Sequence, residues 1–192
     1  MEPLYAYVPV AGVERLARRQ QADIRAVVIH RIQVSLEASD FDDSPAEIAR
    51  FFREHPLGRS ATGGDMPYPV LIDPDGRVLQ TVPLRYITPH ARHLNPTSIG
   101  LACIGDFRAT PMASQQQQSL VNVCTAAVRA FALDAQAVVG HDELGGSGTR
   151  DPDKECPGRH VSMDALREAV HLHLQQSPRP AAGADSGLEL VW

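Results

Sequence analysis

The chain has 192 residues, the length of one domain with a short appendage. Hydrophobic residues at 43% and charged residues at 21% are ordinary for a globular protein with one continuous core. A net charge of -5 argues against a nucleic-acid binder that works through a basic face. No run approaches the roughly 18 apolar residues that cross a bilayer, so membrane insertion is not expected.

Residues 1–23 read as an N-terminal segment outside the main domain, with a short helix over 11–21. The first residues lack the basic and apolar regions of a secretory signal, so synthesis in the cytoplasm is expected. Residues 26–32 are an apolar, β-branched run interrupted at His30, the pattern of a buried strand. Ser44 then reads as the N-cap of a helix, with Pro45 in its first turn and Glu47 closing a capping box. Ile48, Phe51 and Phe52 mark its buried face, and Pro56 and Gly58 are expected to end it. A flexible connection over 60–67 contains Gly63 and Gly64.

A hairpin follows, with strands at 70–72 and 78–82 around the turn Asp73-Pro74-Asp75-Gly76. Residues 98–105 form a second buried strand, and 114–133 a helix with Leu120, Val123, Cys124, Ala127, Val128 and Phe131 at helical spacing. Gln115 to Gln118 read as that helix's exposed start. A short strand over 137–140 ends at His141, and Ser162 caps a last helix running to His173. From 177 to 192 the composition shifts to Pro, Ala and Gly, a flexible tail whose last five residues are apolar enough to dock. Strands and helices mixed over 24–176 predict a single α/β domain, a mixed central β-sheet flanked by helices.

Three cysteines cannot make a complete disulfide framework. Cys103 and Cys124 lie in apolar patterns and read as small buried hydrophobes. Cys156 stands in a polar loop flanked by proline and glycine. His30 and His141 both sit at strand ends, where a rigid scaffold meets an open loop. Two histidines and a thiolate suit zinc, with a coordination position left for water. Spacing alone leaves open that the three residues are unrelated.

Four local patterns occur in order: Val27-Val28-Ile29-His30, the stretch from His90 through Asn95 to Gly100, Val139-Gly140-His141-Asp142, and Lys154-Glu155-Cys156-Pro157-Gly158. Together they resemble the zinc-dependent N-acetylmuramoyl-L-alanine amidase family, which includes peptidoglycan recognition proteins and amidase-type phage lysozymes. The resemblance implies a zinc ion held by His30, His141 and Cys156, Tyr68 and Lys154 as catalytic groups, and His90 and Asn95 as residues lining the substrate groove. His93 is the nearest rival to His90, while His55, His160, His171 and His173 read as packing or surface residues.

Two departures stand out. Pro69 follows the tyrosine where members commonly have His, and Ala102 stands where muropeptide-recycling members carry a catalytic Glu. The implied activity is cleavage of the amide between N-acetylmuramic acid and L-alanine in peptidoglycan, lytic to the bacterial wall. Two alternatives are a peptidoglycan-binding module without catalysis and a cytosolic recycling amidase; a zinc-stabilised structural domain is a third. In the family the cysteine ligand is what binders typically lose, so Cys156 favours the enzyme. As an endolysin the protein would reach the wall at lysis; as an antibacterial toxin it would need export machinery and an immunity protein. A monomer is expected in either setting.

Overall fold

The computed structural model describes residues 5–144, 155–176 and 190–192. Its strands are β1 (Tyr5–Tyr7), β2 (Ala26–Ile32), β3 (Val70–Ile72), β4 (Val78–Gln80), β5 (Ser98–Ile104) and β6 (Val138–Gly140). They join in one sheet of order β1-β4-β3-β5-β2-β6. Every neighbouring pair is parallel except the β3–β4 hairpin, so the sheet is mixed as expected. The helices are α1 (Pro45–Glu54), α2 (Pro56–Thr62), α3 (Ser114–Ala130) and α4 (Met163–Gln176). None of the described helices is long and apolar enough to cross a membrane.

Successive side chains on a strand point to opposite faces, and here the two faces differ in kind. Val27 and Ile29 on β2, and Ile99, Leu101 and Cys103 on β5, pack with Leu120, Cys124 and Val128 of α3 and Val170 of α4. The other face sends Leu71 of β3 and Ala102 and Ile104 of β5 against Ile48, Phe51 and Phe52 of α1. His30 alternates with Ile29 and therefore belongs to this second face.

The local signals explain most element boundaries. Ser44 accepts from the Glu47 N–H at 3.3 Å, as an N-cap should. The reciprocal half of the expected capping box is replaced: Ser44 N–H donates to Asp42 Oδ1 at 2.8 Å, and the Glu47 carboxylate grips Arg50. Pro56 does not finish the helical region but restarts it. A residue before proline is pushed to extended backbone, and His55 adopts φ -74, ψ 137. Proline then fits the first turn of α2, while His55 Nδ1 accepts from Leu57 N–H at 3.4 Å. Residues 60–62, expected in a connection, are the last turn of α2, which ends at Gly63 with φ 73.

Three further differences stand out. Residues 5–7, expected outside the domain, add β1 to the sheet edge beside β4. Over 11–21 there is no α-helix; short 3-10 turns lie at Val13–Arg15 and Gln21–Asp23. Gln116 is 1% exposed, because its amide donates to Ile72 O and Ile104 O at 2.9 and 3.0 Å, closing the ends of β3 and β5.

The expected docking of the final residues holds for Leu190 and Trp192, which pack against the core. Gln80 binds Val191 in both directions, donating to its carbonyl at 2.7 Å and accepting from its N–H at 2.6 Å. The tail's earlier residues, 177–189, lie outside the described residues.

Candidate metal centre

Parallel strands bring two of the three proposed ligands together by register. Ile29 of β2 stands opposite Gly140 of β6, so the residues that follow, His30 and His141, emerge side by side. Their ring centroids are 4.5 Å apart. Open α/β sheets bind ligands beyond the carboxyl ends of their strands, and this pair sits there.

The third residue arrives on a loop held from two sides. Asp142 N–H donates to Cys156 O at 2.7 Å, and the Arg31 guanidinium donates to Glu155 O at 3.0 Å. Gly158 makes the return possible: its φ is 117, and a Cβ there would meet the Phe107 carbonyl carbon at 2.6 Å. Cys156 Sγ thereby lies 3.7 Å from His30 Nδ1. One ligand atom from each of His30, His141 and Cys156 falls within 4.8 Å of the others.

This donor set fits zinc. Nitrogen at about 2.1 Å and sulfur at about 2.3 Å on a tetrahedral zinc stand roughly 3.6 Å apart, close to the spacing of His30 and Cys156. His30 is 1% exposed, and its basicity is held well below the ordinary value, first by burial and then by His90 and His141. A neutral imidazole is what a metal needs. Burial pushes the Cys156 thiol up to about 11, against the lowering effect of the Arg31 backbone N–H and charge. A cation at this position would supply the missing compensation for a thiolate.

Tyr68 is half-buried beside His30, with ring centroids 5.0 Å apart, and packs edge-on to Phe52 of α1. Burial raises its phenol above the ordinary value, followed by the Cys156 charge and opposed by Arg31, so it stays protonated at neutral pH. Pro69 does not disturb this setting. It precedes β3, and its carbonyl accepts from Thr81 N–H at 2.9 Å while Thr81 Oγ1 donates to Tyr68 O at 2.7 Å. Lys154 lies outside the described residues, although Glu155 and Cys156, which follow it, are within them.

His90 and Asn95, expected along a substrate groove, are both engaged within the protein. The His90 ring is buried behind His30, with Nδ1 3.2 Å from His30 Nε2 and Nε2 near the Ser98 carbonyl and hydroxyl at 3.4 and 3.3 Å. Its basicity is pushed down to about 3, first by burial, which the Ser98 carbonyl opposes, and then by the Arg19 and His141 charges. Asn95 Oδ1 accepts from the His90 and Ala91 N–H groups at 3.0 and 2.6 Å, bracing the loop. Its rival His93 is exposed. His55 stacks on Phe51 with centroids 4.8 Å apart, and His171 meets Gln175 at 2.8 Å, both away from the centre.

With this geometry in hand, residues 20–159 match the family model described as N-acetylmuramoyl-L-alanine amidase. The chain belongs to this family. A peptidoglycan-recognition protein of Drosophila simulans is 27% identical over 161 residues, covering 83% of this chain and 81% of that protein. Among solved structures, the endolysin of the Thermus scotoductus bacteriophage Ph2119 is 27% identical with a TM-score of 0.61, covering 84% of this chain and 92% of its own. The endolysin amidase LysCS from Clostridium intestinale shares the fold at 17% identity, with a TM-score of 0.68 and coverage of 86% and 94%.

Within this amidase-family fold, Ala102 stands in register with His30 on the neighbouring strand, fully buried. The position where recycling members would carry Glu is thus next to the candidate ligand His30, and here it offers only a methyl group. Two residues escaped the sequence reading. Arg31 directly follows a ligand and ties the Cys156 loop, with Asp106 as its ion-pair partner at 3.6 Å. Arg19, in the segment expected outside the domain, is 6% exposed and donates to Leu84 O and Asn95 O at 2.9 Å each, and to Ser98 O. Adjacency to His30 was the signal for Arg31; for Arg19 there was none.

Proposed function

We propose that this amidase-family chain hydrolyses the amide bond between N-acetylmuramic acid and L-alanine in peptidoglycan, with zinc held by His30, His141 and Cys156. The observation that carries the reading is the convergence of those three donors at the carboxyl ends of β2 and β6. When bound, zinc polarises a carbonyl and lowers the pKa of water to about 7, which supplies a nucleophile at neutral pH.

The chain's own residues do the rest. Tyr68, protonated and beside His30, donates a hydrogen bond to the carbonyl oxygen as negative charge develops on it. Lys154, two residues before Cys156, brings a positive charge to the same oxygen. Ala102 contributes no carboxylate, which favours the tyrosine–lysine arrangement and a lytic role over recycling. The enzyme acts on the wall after release by lysis or export.

A second reading, recognition without cleavage, draws support from the relative named a peptidoglycan-recognition protein. The full donor trio favours hydrolysis. Digestion of purified sacculi separates the two: hydrolysis frees L-alanine amino termini without new reducing sugars. Muropeptides that keep their lactyl–alanine linkages after incubation with zinc-loaded protein would overturn the amidase reading.

A further inference from the structure

His30 reaches the metal centre with one nitrogen and is held from behind by the other. Nδ1 faces Cys156 Sγ, and as a zinc ligand it would hold its lone pair there and carry the ring proton on Nε2. That Nε2–H points at His90 Nδ1, 3.2 Å away, which must accept it. His90 then carries its proton on Nε2, aimed at the Ser98 carbonyl and hydroxyl. The Ser98 hydroxyl donates its own proton to Leu94 O at 2.6 Å, which leaves its oxygen able to accept. At the far end Arg19, also buried, donates to the same Ser98 carbonyl. One proton assignment satisfies every step from His30 through His90 and Ser98 to Leu94.

From this chain of hydrogen bonds we infer that His90 is the positioning residue for the metal: it fixes the tautomer and ring plane of His30 rather than touching substrate. The inference rests on the zinc reading of the trio. Space as well as chemistry is arranged for it. Gly100, two residues before Ala102 on β5, leaves room for the ring, since a Cβ there would meet His90 Cγ at 2.6 Å. Asn95 secures the backbone of His90, and Arg19 secures the carbonyl that receives its proton. Outer partners of metal-binding histidines commonly set metal affinity by 10- to 100-fold.

Asparagine and glutamine at position 90 separate this role from simple filling of space. His90→Asn places an oxygen near the position of Nδ1 and keeps an acceptor for His30. His90→Gln is closer to histidine in size but carries its amide to the position of Nε2. The probe is zinc alone, titrated into the full chain against a chromophoric chelator, with cobalt(II) spectra reporting the ligand field and melting of the metal-free protein reporting the fold. His90→Asn should bind zinc within a few-fold of the parent with a parent-like cobalt spectrum. His90→Gln and His90→Ala should bind roughly 10- to 100-fold more weakly.

Glutamine equalling or exceeding asparagine in zinc affinity would overturn the inference, because packing alone predicts that order. So would unchanged affinity in all three variants. A parent chain that binds no zinc removes the metal reading and this inference together. A parent that binds zinc but leaves sacculi intact removes only the proposed reaction.

Discussion

The two faces of β2 and β5 are built from alternate residues of the same strands, yet they do opposite work. One face, with Val27, Ile29, Ile99, Leu101 and Cys103, is a dry core against α3 and α4. The other places His30 in register with Ala102 at the end of an otherwise apolar layer under α1. A single residue of register separates stability from chemistry, because strand side chains alternate with a period of two. The first face needs volume and the second needs lone pairs. Errors on one should therefore leave the other readable.

The largest effects are expected at the ligands. Cys156→Ser, or treatment of the parent with a strong chelator, should take amidase activity to background while the fold persists; zinc should restore only the parent. Full zinc content in Cys156→Ser would remove the thiolate from the site. On the dry face, Leu101→Ala should cost about 2–5 kcal/mol in denaturant unfolding, with zinc bound per folded chain unchanged. A weaker metal affinity in that folded variant would mean the faces are not independent.

Tyr68→Phe and Lys154→Ala should slow sacculus digestion roughly 100- to 1000-fold, about 2.7–4 kcal/mol of barrier, with zinc and melting temperature retained. Near-parental turnover by either variant strikes that residue from the reaction. The smallest effect belongs to α1, which lies over the chemical face but away from the donors. Ser44→Ala removes its N-cap and should cost about 1 kcal/mol of stability with turnover intact.

What could be read before folding was whatever depends on neighbours in sequence. The runs at 26–32 and 98–105 announced the central strands, and the ordered patterns around His30, His141 and Cys156 announced three residues that the fold brings together. The reading failed where distant partners decide. Tyr5–Tyr7 is too short to show a period and becomes a strand only because β4 offers its edge. Gln116 looks like a solvated glutamine until two strand-end carbonyls need its amide. His90 was expected in a substrate groove and its ring lies buried behind His30; no local pattern tells which way a loop histidine faces. Arg19 was invisible because its partners, Leu84, Asn95 and Ser98, are far along the chain.

Gly100 has a consequence for how mutational tolerance maps onto this domain. It has no functional atom and takes no part in the candidate metal centre, yet the space it vacates is filled by His90. In saturation mutagenesis scored by lysis, position 100 should look as intolerant as a ligand, with alanine already inactive. Position 102, one pleat nearer the carboxyl end and facing the same way, should accept small residues. A scan interpreted residue by residue would assign Gly100 to the active site; its role is to be absent where a ring must stand.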